Sequence, residues 1–282
     1  MKNAGAVHLL RGQAEVGLTL AGQLHLDQSV LGATTPRSGE LFGFSLAVGN
    51  FDGGRGDDLA IGAPLERLEH DFKEASDGYG AVHVLYFSGI GLLSSSAFIM
   101  EDELSGFGDK IRNGDRFGWS LAAGNFDGQH SDDLAIGLPR NSDSGLGGAV
   151  AVIYSNGQEL SVEKVQFFYP GDFADGIQTP PPPDGLNAKD WPEFGGSLAV
   201  GDYQGDGVAD LFIGVPNFGE YQAGAGAVEI KPGVAGIGLG FSYLLLHQDL
   251  FQPEQAAAET NFTFTADAFK VTGERFGYAI GR

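Results

Sequence analysis

The sequence predicts an all-β protein: a β-propeller with three complete four-stranded blades and partial blades at both ends. Three observations predict it. A composite segment recurs at near-constant spacing, glycine sits at fixed places within that segment, and the apolar runs are short with no sustained helical period.

The repeat comes first because it sets the element order. Four segments open alike: Phe42-Gly43-Phe44-Ser45-Leu46-Ala47, Phe117-Gly118-Trp119-Ser120-Leu121-Ala122, Phe194-Gly195-Gly196-Ser197-Leu198-Ala199 and Phe276-Gly277-Tyr278-Ala279-Ile280, spaced 75, 77 and 82 residues apart. The first three continue through Gly-(Asn/Asp)-aromatic and a polar loop into Asp-Leu-(Ala/Phe)-Ile-Gly-X-Pro, at Asp58–Pro64, Asp133–Pro139 and Asp210–Pro216. A Gly-Ala-Val run follows in each, beginning at Gly80, Gly148 and Gly226. A weaker fourth run lies near Ala97–Met100, Val165–Tyr169 and Phe241–Leu246. Each run is rich in Val, Ile, Leu and aromatics and is bounded by Gly, Pro, Asn or Asp, which is the pattern of strands. Four strands per unit, repeated at this length, make a propeller blade. A lone blade cannot bury both faces of its sheet, so blades must stack. The Phe of each Phe-Gly pair is the expected wedge between neighbours, and the Gly permits close backbone approach.

At the ends, Gly5–Leu10 and Leu18–Leu26 look like the third and fourth strands of a preceding blade. The expected division is 1–36 for the end of that blade, 37–111, 112–188 and 189–270 for three whole blades, and 271–282 for the first strand of another. The chain is therefore expected to be a piece of a larger ring, with a closed four-blade ring as the second reading. Inserts at 65–77 and 172–191, the latter holding Pro180–Pro183, are expected to project from one face.

Composition narrows the function. The chain has 282 residues, 46 of them Gly against roughly 20 for average usage. No Gly-X-Y period exists, so collagen is excluded. The net charge of −21 repels phosphate backbones and anionic lipid, which excludes nucleic-acid binding, and favours divalent cations where carboxylates converge. With no Cys, disulfides, thiolate zinc sites and cysteine nucleophiles are excluded. No apolar run reaches the length of a membrane span, and no leader is legible, so any export signal is expected to lie outside this chain.

The loop between the first two strands carries the chemistry. Its copies are Asn50–Asp58, Asn125–Asp133 and Asp202–Asp210. Calcium takes 6–8 oxygens, and side chains at the first, third, fifth and ninth positions with the seventh carbonyl can supply them if the loop coils. The candidate ligands are Asn50, Asp52, Asp58 and the Gly56 carbonyl in the first loop. In the second they are Asn125, Asp127, Gln129, Asp133 and the Ser131 carbonyl. In the third they are Asp202, Gln204, Asp206, Asp210 and the Val208 carbonyl. The third has the most carboxylates. In the first, Gly54 and Arg55 stand where a ligand and a turn glycine are wanted, and in the second Gln129 and His130 do. The alternative for the poorer loops is an Asx-rich turn closed by side-chain-to-backbone hydrogen bonds.

The Phe-Gly pairs, the Gly62-Ala63-Pro64 triplet with its variants Gly137-Leu138-Pro139 and Gly214-Val215-Pro216, and the acidic loops between them resemble the FG-GAP repeats of integrin α-subunits and their bacterial relatives. The resemblance runs from Gly5 to Gly281. It implies an integrin-α N-terminal type of propeller, calcium in the hairpin loops of one face, recognition of an extracellular protein or glycan on the other, and no catalysis. A secreted or bacterial surface adhesion protein is the expectation. The alternative is a propeller module of a larger secreted hydrolase or lyase, for which Asp71, Glu74, Asp184, Lys189 and Trp191 are the candidate residues. The Arg55-Gly56-Asp57 triplet is set aside because it falls inside a loop that already requires Gly and Asp. The Asn261-Phe262-Thr263 sequon is likewise set aside.

Overall fold

The computed structural model describes residues 3–31, 35–67, 78–88, 93–106, 114–141, 147–170, 193–217, 226–240 and 244–247. The fourth Phe-Gly opening at Phe276, the expected strand in 271–282, most of the insert 65–77, the insert 172–191, Asn261 and the five candidates for an enzyme site lie outside these residues.

Three four-stranded antiparallel sheets follow one another. The first holds β3 (Ser45–Gly49), β4 (Asp58–Ala63), β5 (Ala81–Phe87) and β6 (Leu93–Ile99). The second holds β7 (Ser120–Gly124), β8 (Asp133–Leu138), β9 (Ala149–Ser155) and β10 (Leu160–Phe168). The third holds β11 (Leu198–Gly201), β12 (Asp210–Val215), β13 (Ala227–Lys231) and β16 (Leu244–His247). In each sheet the strands lie in chain order. This is the blade of a β-propeller. Ahead of the first blade, β1 (Val7–Gln13) and β2 (Gly17–Leu26) form a two-stranded sheet of their own.

Three elements escape the sequence reading. A single helical turn, α1 (Gln28–Leu31), starts beside Asp27, whose Oδ1 accepts the Ser29 N–H at 3.0 Å. A 3₁₀ turn covers Glu101–Glu103. A two-residue ladder, β14 (Gly233–Val234) with β15 (Gly238–Leu239), follows Pro232. All are too short for any periodicity to be read.

The cores lie between blades. Leu59, Ile61 and Ala63 of β4 join Val7, Leu26 and Phe42 in one cluster. Ala60 of the same strand joins Phe117, Leu134, Ile136 and Leu138 in the next. One blade on, Leu134 and Ile136 face back while Ala135 faces forward to Phe194, Leu211, Ile213 and Val215. The Asp-Leu-Ala-Ile-Gly run is therefore buried on both faces, with its large residues turned to the preceding blade and its small ones to the following blade.

The small side has a steric cause. A Cβ on Gly62 would lie 2.2 Å from the Gly118 carbonyl oxygen, and one on Gly137 would lie 2.2 Å from that of Gly195. The same two carbonyls accept hydrogen bonds across the junction from Ser45 Oγ and Ser120 Oγ, each at 2.6 Å. Isolated parallel bridges Gly5–Phe42, Gly80–Phe117 and Gly148–Phe194 seat each wedge against the preceding unit. Phe117 and Phe194 are wholly buried there.

Candidate functional site

Each hairpin loop begins after the last glycine of the innermost strand and ends on the aspartate that opens the second strand. The closing pairs are Gly49–Asp58, Gly124–Asp133 and Gly201–Asp210. The three loops therefore share one end of their sheets.

The ninth-position aspartates are buried and act as hydrogen-bond hubs. Asp58 Oδ2 accepts the N–H of Phe51 at 2.8 Å and of Asp52 at 3.2 Å, while Oδ1 accepts that of Phe87 at 2.9 Å. Asp133 accepts Phe126 N–H on Oδ2 and Ser155 N–H on Oδ1, both at 2.9 Å. Asp210 accepts Tyr203 N–H at 2.6 Å and Gln204 N–H at 3.3 Å on Oδ2, and Gly233 N–H at 2.8 Å on Oδ1. Each carboxylate ties the aromatic at the loop's second position to the end of the third strand or the residues just after it. Burial raises the pKa of Asp58 and pushes Asp133 up to about 7, against the pull of their amide donors.

The first-position asparagines use one end only. Asn50 Nδ2 donates to the Gly54 carbonyl at 3.1 Å, and Asn125 Nδ2 donates to that of Gln129. Their Oδ1 atoms are buried without a hydrogen-bond partner. A buried acceptor left bare costs about 1–3 kcal/mol, so a donor or a cation at either place would be stabilising.

The third positions form Asx turns. Asp52 Oδ1 accepts Gly54 N–H at 2.7 Å, and Asp127 Oδ1 accepts Gln129 N–H at 3.1 Å. In the third loop this role passes to Asp202, which takes Gly205 and Asp206 N–H on Oδ1 at 2.6 and 3.1 Å and Gly207 N–H on Oδ2 at 3.0 Å. Asp206 Oδ1 accepts Val208 N–H at 2.9 Å. The Asx-turn geometry is thus present in all three loops. Among the described residues, no three His, Cys, Asp or Glu side chains converge as a metal cluster. The carboxylates of the third loop turn to its own amides. The donor set is nonetheless all oxygen, which suits a hard cation, and an oxygen holding one N–H keeps a second lone pair.

Neighbouring loops clasp each other. Asp132 N–H donates to the Asn50 carbonyl at 2.8 Å while Asp132 Oδ2 accepts Asn50 N–H at 2.8 Å. Ala209 N–H repeats the first bond onto the Asn125 carbonyl at 3.0 Å. Ser155 Oγ donates to the Phe51 carbonyl at 2.7 Å.

Several residues of this edge were not singled out from sequence. Tyr86 and Tyr154 close the third strand of two successive blades, and their hydroxyls accept the N–H of Leu160 at 3.2 Å and of Leu239 at 2.8 Å in the blade that follows. The signal was available, since both tyrosines stand five residues after the alanine of Gly-Ala-Val. Lys164 of β10 was also passed over, and its Nζ lies 2.8 Å from Asp127 Oδ2.

A propeller of serial blades, each opening on a Phe-Gly wedge and bearing an oxygen-rich hairpin, is the class of protein that fold and loops define. Residues 194–228 match the family described as FG-GAP repeat, and that span covers the third loop. Integrin alpha-5 of Xenopus laevis is 28% identical over 200 residues, 68% of this chain and 16% of that protein. Integrin alpha pat-2 of Caenorhabditis briggsae is 28% identical over 190 residues, 66% of this chain and 13% of that protein. Integrin alpha-PS2 of Drosophila melanogaster is 30% identical over 143 residues, covering 50% of this chain and 10% of that protein. The chain is thus similar to integrin alpha subunits over about two thirds of its length, and residues 194–228 match an FG-GAP repeat. It spans about a sixth of the length of the first of these relatives.

Proposed function

We propose that this protein is a non-catalytic, calcium-binding propeller scaffold that recognises an extracellular protein or glycan in cell adhesion. Its repeats are taken as 37–111, 112–188 and 189–270, and its place is outside the cell or on its surface. Among the described residues, no helix is long and apolar enough to cross a membrane.

The observation that carries the reading is the bare, buried Asn50 oxygen of the first hairpin, with an equivalent oxygen at Asn125 in the second. Each belongs to a loop whose other candidate side-chain ligands are carboxylates and amides. In the first loop the ion would be held by Asn50, Asp52, Asp58 and the Gly56 carbonyl. In the second the candidate set is Asn125, Asp127, Gln129, Asp133 and the Ser131 carbonyl, but there the Lys164 ammonium already stands against Asp127. In the third it is Asp202, Gln204, Asp206, Asp210 and the Val208 carbonyl, with the Asp202 and Asp206 carboxylates turning from their amides to the ion. Calcium supplies charge neutralisation and rigidity, and the chain supplies the oxygens and a fixed frame. The strongly acidic surface, with a net charge of −21, favours a cation-dependent ligand contact.

Calorimetry in calcium and in EDTA tests the metal half of the proposal. An ion at 100 times its Kd adds about 2.7 kcal/mol per site, which should raise Tm by several degrees. Superimposable scans would end the calcium reading. Solid-phase binding to matrix glycoproteins, native and deglycosylated, tests the other half. Retention in calcium and release in EDTA is the expected result.

A further inference from the structure

The second loop differs from the others in one respect. Its Asp127 carboxylate is 2% exposed and already has a cation, the Lys164 ammonium at 2.8 Å. We propose that Lys164 is a tethered counter-cation that fills the second loop in place of calcium, so that this loop is closed to metal while its neighbours are open. The inference rests on the calcium reading of the hairpins and assigns one of them away from it.

The strand geometry is built to deliver this lysine. The register of β10 on β9 jumps between Leu160, opposite Ser155, and Val165, opposite Ile153. Six residues of β10, Leu160–Val165, thus span three of β9, and the excess forms a bulge that re-aims a side chain. Lys164 lies within it and reaches Asp127 across 37 residues of chain. Its Nζ also sits 4.9 Å from the centre of the Tyr154 ring, a cation–π contact on the apolar side. Tyr154 is itself fixed, because its hydroxyl donates to Gln166 Oε1 at 2.6 Å and accepts Leu239 N–H at 2.8 Å. The ammonium is therefore held by a carboxylate and a locked ring.

Charge decides the competition. Lys164 cancels Asp127 and leaves Asp133 as the one carboxylate without a paired cation among the second loop's candidate ligands, whereas the first loop keeps both Asp52 and Asp58. The backbone above Asp127 is pinned as well, its carbonyl accepting Gly236 N–H at 2.7 Å. An incoming divalent ion must displace a tethered monovalent one whose effective concentration is fixed by the strand. The first loop has no such rival on its outer strand, since the corresponding stretch of β6 reads Ser94-Ser95-Ser96. Its Asp52 keeps Oδ2 clear of any cation among the described residues.

The test counts calcium ions by isothermal titration of the metal-free protein. Lys164→Met should bind one more ion than the wild type, and Lys164→Met/Asp127→Asn should lose it again. In EDTA, Lys164→Met should melt below the wild type, because a buried carboxylate is left unpaired, and calcium should restore most of that loss. Asp127→Asn in the wild-type background keeps the proposal exposed if the lysine variant does not fold, because it should leave the ion count unchanged. Equal counts in the wild type and Lys164→Met overturn the lysine assignment, as does a wild type that loses an ion on Asp127→Asn. A wild type and Lys164→Met that both bind no calcium overturn the calcium reading itself, and with it this proposal.

Discussion

Lowering the pH should loosen the junction between the N-terminal hairpin and the first blade through one residue, His83. Its ring is buried, 5.1 Å from Phe42 and 5.0 Å from Phe98 between centroids, and its Nε2 has no hydrogen-bond partner. Burial alone lowers its pKa from 6.5 to about 4. The folded protein therefore refuses a proton that the unfolded chain accepts, and stability falls as pH drops from 6.5 towards 4. Taking those two values, the loss is about 2 kcal/mol at pH 5 and about 3 kcal/mol at pH 4. Urea unfolding of the wild type and of His83→Leu at pH 7.5 and pH 5 isolates this contribution, since the many surface carboxylates are common to both. The difference in unfolding free energy between the two proteins should move by about 2 kcal/mol in favour of His83→Leu at the lower pH. A difference that stays constant to within about 0.5 kcal/mol would refute the assignment of His83 as a neutral, desolvated wedge.

Two substitutions probe the blade junctions directly. Gly137→Ala places a methyl 2.2 Å from the backbone carbonyl oxygen of Gly195 and the same distance from Ser120 Oγ, so thermal unfolding should show a loss of more than about 3 kcal/mol. Phe117→Ala empties a fully buried wedge between the first two blades and should cost about 3–5 kcal/mol in urea unfolding.

Much of this architecture was readable before any coordinates, because the same steric problem is solved three times. The Phe-Gly opening fixes a wedge and a close approach, and in the first two blades Asp-Leu-Ala-Ile-Gly alternates large and small in step with the two interfaces it must fill. Such constraints leave a pattern at a fixed period. What could not be read was of two kinds. The β14–β15 ladder and the Gln28–Leu31 turn are shorter than any period. The partnership of Lys164 with Asp127 is a contact between residues far apart in the chain, arising from a bulge that has no sequence mark of its own. The loops lie between these cases. Their oxygen-bearing residues were evident, but the use of Asp58, Asp133 and Asp210 as acceptors for the ends of the third strands depends on how strands one to three close on each other.

That double duty explains why the hairpins and the blade junctions behave as one system. The Asn50 backbone carbonyl accepts the N–H of Asp132 in the next loop, while its side-chain oxygen accepts no hydrogen bond. Phe51, the next residue, fills the core between the first two blades and gives its carbonyl to Ser155 of the second. Ordering the first loop therefore orders the surface on which the second blade rests, and Asn125 with Ala209 passes the same constraint to the third. Among the described residues, the sheets share no backbone ladder with one another beyond the isolated bridges at the Phe-Gly wedges. Stiffness along the stack has to come from packed wedges and clasped loops. A loop held shut by a lysine, as proposed for the second, would meet that need without metal, whereas a loop held by calcium would meet it only where the ion is present.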